Sequence, residues 1–340
     1  MAAPPTTTGP SKASRSGGTP SGRGSAGRRP PTLRERDARS GLLLISPTLI
    51  IVVVVVVVPL AWSALIAFQR MRLINVGRTG LFDDLTLRNF VTVFSSDALW
   101  SSLGTTVFYT VGSTFLAIVL GLVAALLVRR PFRGRTFVRA AMLIPYVAPV
   151  VAATFVWRVM LNPEFGIINT WGTRLFGWDD PVAFLSQARA DVSFLGLEIP
   201  IPVALLTVIA FEGWRNFPFA FLFILARLSA LSDEVEEAAI VDGATPLQRF
   251  RYIVLPQLMP VIAVLVVLRF IWTFNEFDSI FLLTGGTAGT NVVSVRVYEL
   301  LTVQRNVGGA AAQSVFLALV LLVLVGTYLL VVRKRGGQQL

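Results

Sequence analysis

The sequence predicts an all-α integral membrane protein with six transmembrane helices, on three observations. More than half of its 340 residues are hydrophobic and only 14% are charged, with a mean hydropathy of +0.70, too apolar for a water-soluble domain. Six apolar segments each approach the ~20 residues that cross ~30 Å of hydrocarbon. The lysines and arginines between them fall mostly on one side. Helix is the expected form because hydrocarbon offers the backbone no outside partner.

Residues 1–40 come first, a tail rich in Gly, Pro, Ser, Thr and Arg ("TTTGPSKASRSGGTPSGRGSAGRRPP") with almost no apolar content. Such a stretch buries too little surface to offset its ordering entropy, so a disordered basic leader is expected. It does not read as a secretory signal, because its polar run is long and no small-residue cleavage site follows the first apolar segment. The six segments are 42–68, 103–128, 138–160, 200–226, 257–281 and 310–332. The first contains "LIIVVVVVVVP", a poor helix in water that lipid nevertheless forces into backbone pairing. Residues 41–340 therefore form one transmembrane domain.

Orientation follows the positive-inside rule. The tail, the 129–139 connection, the 227–255 connection and the C-terminal "RKR" carry 8, 5, 3 and 3 lysines and arginines, 19 in all. The connections 70–100, 161–199 and 282–309 carry 4, 2 and 2, a total of 8. Both termini are expected in the cytoplasm of a bacterial plasma membrane protein. The same distribution argues against nucleic acid as the partner of the +11 net charge. The chain has no histidine and no cysteine, which excludes imidazole bases, thiolate nucleophiles and thiolate metal sites. With no GxSxG elbow either, a membrane hydrolase is disfavoured. No metal site and no cofactor is expected on this chain.

One cytoplasmic connection is unlike the others. At and just before "EEAAIVDGATPLQRFRYIVLP" (Glu236–Pro256), Ser232, Asp233, Glu234, Glu236 and Glu237 crowd a helix start, where negative charge favours the exposed N–H groups. Gly243 is placed to end that helix in the left-handed conformation. Thr245-Pro246-Leu247-Gln248 reads as a capping box with proline at the first position of a second helix, and Pro256 marks the entry to the fifth span. A solvated linker needs neither the caps nor the small Ala238 and Ala239 beside apolar Phe250, Ile253 and Leu255. The loop 232–256 reads as a docking element for another protein.

Charged groups inside the spans are the second functional signal, because each is costly in hydrocarbon and normally faces a cavity or a partner. Glu212, Arg215, Asn216 and Phe219 share one face of the fourth span by i, i+3, i+4, i+7 spacing, and Arg269, Thr273 and Glu276 share a face of the fifth. They read either as the lining of a solute pathway, with Phe219 able to stack on a sugar ring, or as ion-pair staples, Glu212 with Arg269 or Arg215 with Glu276. Arg158 with Trp157 reads as an interface anchor, and Trp171 and Trp178 as belt aromatics of an interfacial helix within 161–199.

The spacing Glu237-Ala238-Ala239, three residues, Gly243, nine residues, Ile253, one residue, Leu255-Pro256 resembles the cytoplasmic "EAA" loop of ABC importer permeases without departure. Asp242 stands just before the glycine of that motif. "RNF" (88–90), "RPFRGR" (130–135), "NPEFGIIN" (162–169), "WRNFPFAFLFILARL" (214–228), "FDSIFLLTGG" (277–286) and "GGAAAQS" (308–314) are similar to its carbohydrate branch, the maltose permease family, in the same order. "GGTAGT" departs, lacking the proline that commonly follows the glycines. The resemblance covers residues 41–335.

The resemblance implies the six-helix type I permease architecture. It also implies a second permease, two ATPase subunits that bind the EAA loops, and an extracytoplasmic solute-binding protein that delivers the solute. ATP and magnesium would sit on the ATPases; this chain has no GxxxxGK[ST] loop of its own. It places Glu212, Arg215, Asn216, Phe219, Arg269, Thr273 and Glu276 on positions that contact sugar in that family. Glu212 and Glu276 beside the arginines would repel a phosphate, so a neutral sugar is favoured over a sugar phosphate. A secondary transporter or channel is the alternative, but no repeat relates the two halves and the loop would be left without a role.

Overall fold

The computed structural model describes residues 44–336 apart from positions 79, 81, 84, 176, 195 and 196; the expected 1–40 tail lies outside the described residues. The chain divides into two units, residues 1–59 and 60–340. In the first, helix α1 (Leu44–Ala67, continuing into the second unit) widens to a π-helix over Val53–Val57, where Val58 N–H donates to the Val53 carbonyl. Pro59 explains the widening. Its ring lacks an N–H and collides with the carbonyl four residues back, and a π-turn relieves both.

In the second unit, the short helix α2 (Arg88–Phe94) leads into α3 (Asp97–Leu127). The third apolar segment is not a straight span. It is a pair, α4 (Arg135–Val147) and α5 (Val150–Met160), bent by 96°. Pro149 sets the break, because it pushes Ala148 out of the helical region to φ −62°, ψ 135°. A helix α6 (Ile167–Leu175) and a two-stranded antiparallel hairpin, β1 (Ala190–Phe194) and β2 (Leu197–Ile201), fill the next connection. The register runs from Ala190 opposite Ile201 to Phe194 opposite Leu197. This small hairpin is an addition to a mostly helical chain.

Then come α7 (Val203–Ser229), α8 (Asp233–Val241) and α9 (Pro246–Phe274). α10 (Asp278–Thr284), α11 (Val293–Thr302) and α12 (Val307–Gly336) complete the order. Five of these helices are long and apolar enough to cross a membrane, or six if the bent pair is one span. α9 corrects the expected boundary at Pro256. The second loop helix and the fifth span are one helix of 29 residues, and a π-segment at Phe250–Val254 absorbs Pro256 as the earlier one absorbs Pro59.

α3 and α7 form the main helix pair. Gly121 makes their approach close: a Cβ there would stand 2.7 Å from the Ala220 Cβ and 2.8 Å from the Phe221 nitrogen. In lipid, helices gain little from hydrophobic segregation, so close backbone packing at small residues carries much of the association. At the loop-proximal end, Ala124, Ala125 and Val128 pack with Ile224, Leu228, Val254 and Leu258. α3 and α7 thus run parallel, with both C-termini beside the 230–256 connection.

Candidate functional site

The connection after α7 is built by local chemistry. α8 ends in a Schellman turn, in which Ala244 N–H donates to the Ala239 carbonyl and Gly243 N–H to that of Ile240. Gly243 takes φ +79°, in the region where a Cβ is unfavourable. Thr245 and Gln248 form the expected reciprocal capping box, with Thr245 N–H donating to Gln248 Oε1 at 2.8 Å. Ser232 at the other start makes no side-chain cap bond.

The loop is tied to the body by Arg129 and Glu236, whose Nη1 and Oε1 meet at 2.5 Å. Arg135 and Arg139, counted in the sequence for their charge, donate to the carbonyls of Val128 and Arg129. They satisfy the open end of α3 and complement its dipole. Phe250 packs on the chain's own core, and Ile253 and Leu255 are half-buried. What faces outward is Glu237, Ala238, Asp242 and Pro256, with Val241 87%, Leu247 73% and Tyr252 70% exposed. These last three apolar groups were missed in the sequence, which shows composition but not which side of a helix pair is covered.

The charged residues of the spans converge on Glu212. Its Oε1 accepts from Arg269 Nη2 at 2.9 Å and from Asn216 Nδ2 at 2.7 Å, and its Oε2 from Ser279 Oγ at 3.1 Å. Arg269 Nη2 also donates to Thr273 Oγ1. Glu212, Arg269, Thr273, Asn216 and Ser279 are all buried, and the Glu212–Arg269 pair joins α7 to α9 among them. This is the geometry of an interhelical staple. The other anticipated staple is absent among the described residues: Arg215 and Glu276 form no ion pair within 4 Å. Arg215 is half-buried and its Nε lacks a partner.

Glu276 is not on the α9 face with Arg269 and Thr273, because α9 ends at Phe274. It sits in the break before α10, where its Oε1 accepts from the Ser279 backbone N–H and hydroxyl. Phe219 is half-buried among Tyr146, Phe223 and Trp272, which cover much of the ring expected to stack.

Two contributors escaped the sequence reading. Ser279 stands between the carboxylates of Glu212 and Glu276, its one hydroxyl proton within reach of either, which required knowing that α10 folds back onto α7. Tyr109 on α3 is buried, its hydroxyl lacks a partner, and Glu212, Glu276, Arg269 and Arg215 are its electrostatic neighbours. Thr110, Ser113 and Thr114 follow on the same helix, also buried and unpartnered. Their polar spacing was visible in "FYTVGST".

Outside this cluster, Arg158 is exposed and borders a cavity of about 490 Å³ with Asn162 and Thr287, and Trp157 packs edge-on against Phe211. Trp171 is exposed on α6 as a belt residue would be, whereas Trp178 folds back over Gly172 and Phe184.

The family described as "Binding-protein-dependent transport system inner membrane component" matches residues 117–335. The chain is 34% identical over 299 residues to the inner membrane ABC transporter permease protein YcjO of Escherichia coli K12, covering 88% of this chain and 94% of that protein. It is 32% identical over 263 residues to the trehalose/maltose transport system permease protein MalF of Thermococcus litoralis, covering 77% and 83%. In fold it is similar to a chain of a bacterial ABC transporter involved in import of the acidic polysaccharide alginate, with a TM-score of 0.72, 24% identity, and 88% and 98% coverage.

Proposed function

Since the chain belongs to the family of binding-protein-dependent transport system inner membrane components, we propose that the solute it moves is a sugar or oligosaccharide. It is the multi-pass transmembrane permease subunit of an ABC importer. The sugar assignment rests on the trehalose/maltose relative and on the balance of charge at the span cluster. Arg269 is already matched by Glu212 at 2.9 Å, and Glu276 stands nearby. A bound phosphate would meet two carboxylates there, whereas sugar hydroxyls pair with both signs.

The buried pair holds α7 against α9, while half-buried Arg215, the Glu276 Oε2 not used by Ser279 and the uncovered part of Phe219 meet the solute. A second permease completes the pathway. Two ATPases, carrying ATP and magnesium, dock on the 232–256 loop through Glu237, Ala238, Asp242, Gly243 and the exposed apolar groups beside them. The chain itself catalyses nothing and binds no cofactor. An external binding protein delivers the sugar, and both termini lie in the cytoplasm of a bacterial plasma membrane.

The single observation that carries the coupling role is the rigid Schellman turn and capping box at Gly243–Gln248, held to α3 by Arg129 and Glu236. The test is uptake of labelled neutral disaccharides and of a glycerol phosphate by the reconstituted transporter with its binding protein. ATP-dependent uptake of the phosphate alone overturns the sugar assignment.

A further inference from the structure

At the ends of the spans opposite the 232–256 loop lies a cavity of about 490 Å³ lined by Arg70, Arg72, Arg88 and Arg296, with Gln304 and Thr92. Among the described residues, no aspartate or glutamate lines it. Arg70, Arg72 and Arg88 make no ion pair among the described residues. Arg296 is held by its Nη2, which donates to Ser96 Oγ at 2.9 Å, while its Nε has no partner. Four guanidinium groups around one concavity repel one another, and a bound oxyanion reverses the sign of that term. Their forked donors match phosphate geometry.

The surroundings say which oxyanion. The lining comes from the segment after α1, from α2, from Ser96 just before α3, and from α11 through the 304–306 connection to the start of α12, about 50 Å along α3 from Arg129 at 1.5 Å per residue. A bilayer with its headgroup regions is ~40–45 Å thick, so with Arg129 at one surface the cavity falls at the headgroup level of the other. An aromatic ladder runs beside the cavity: Phe90 stacks near Phe94, and Phe94 and Trp100 both meet Phe316 edge-on. Phe94 and Trp100 remain exposed, as belt aromatics at headgroup depth do. An apolar ladder next to a cationic cavity suits a molecule with acyl chains and an anionic head.

We propose that this cavity binds the phosphate of an anionic phospholipid headgroup, anchoring the permease in the leaflet opposite the ATPases. The site is separate from the span cluster and does not depend on which solute is carried.

The test uses the complete transporter in nanodiscs of equal phosphatidylglycerol and phosphatidylcholine, with lipids retained after extraction read by native mass spectrometry. Wild type should keep phosphatidylglycerol in preference. Arg72→Gln and Arg88→Gln, both on exposed side chains that leave folding intact, should each lower retention about fivefold. Adding Arg296→Gln should abolish the preference, and Arg78→Gln, outside the cavity, should leave it unchanged. Equal retention of the two lipids, or full retention by Arg72→Gln and Arg88→Gln, overturns the proposal. So does protection by millimolar inorganic phosphate with no lipid kept, which makes it a free-anion site. Weakened docking of the binding protein with unaltered lipid retention also overturns it, assigning the arginines to a protein carboxylate.

Discussion

Glu212 on α7 and Arg269 on α9 meet at 2.9 Å with 2% and 4% of their side chains exposed. Taking either partner away strands the other charge, at a cost on the order of 3–5 kcal/mol for a buried pair. Glu212→Leu and Arg269→Met should each lower the melting temperature of the assembled transporter sharply, and the double variant should recover most of it. Additive melting shifts would exclude the staple. Arg215→Gln and Glu276→Gln, on half-buried residues, should leave melting nearly unchanged while depressing sugar uptake; wild-type uptake with both substitutions would remove them from the pathway.

Gly243 holds φ +79°, and nothing lies within 4 Å of where a Cβ would stand, so strain rather than a clash governs substitution there. Gly243→Val should distort the turn and cost ATPase association and transport while membrane insertion persists. Gly243→Asn, which tolerates the left-handed region, should retain most of both. Co-purification of ATPases at wild-type yield with Gly243→Val would refute the coupling role.

The lysine and arginine asymmetry predicts that reporters fused at residues 133 and 245 signal from the cytoplasm, and one at 289 from outside. The parallel packing of α3 and α7 already places 133 and 245 on one face. An external signal at 245 would overturn the orientation and the loop's role together.

Gly121→Leu should be among the more damaging changes away from any charge. Its side chain would have to displace the backbone of Phe217 and Phe221, and overpacking of this kind costs about 1–3 kcal/mol or more. Thermal unfolding of the purified transporter measures the loss. Unchanged melting would show that α3 and α7 part without penalty.

The apolar segments, their helical form and the loop's turn chemistry were determined by the sequence alone. Each depends on local rules: segment length against bilayer thickness, a glycine where φ must be positive, a threonine and glutamine three residues apart. Even the two π-turns have a local cause in Pro59 and Pro256, and the 96° break in Pro149. The sequence also put Glu212 with Asn216, and Arg269 with Thr273, on shared helix faces at i, i+4 spacing, and each of these pairs is hydrogen-bonded within its own helix.

Only the tertiary structure decided the rest. That Glu212 chooses Arg269 while Arg215 stays unpaired depends on the rotation of α7 against α9, which many long-range contacts set jointly. Glu276 left its expected face because the helix ended two residues earlier, at Phe274. Ser279 joined the site because α10 folds back on α7, and the four arginines of the outer cavity converge from segments more than 200 residues apart in the chain. Helical periodicity sets directions within one element; the distances between elements come from packing, which no single segment encodes.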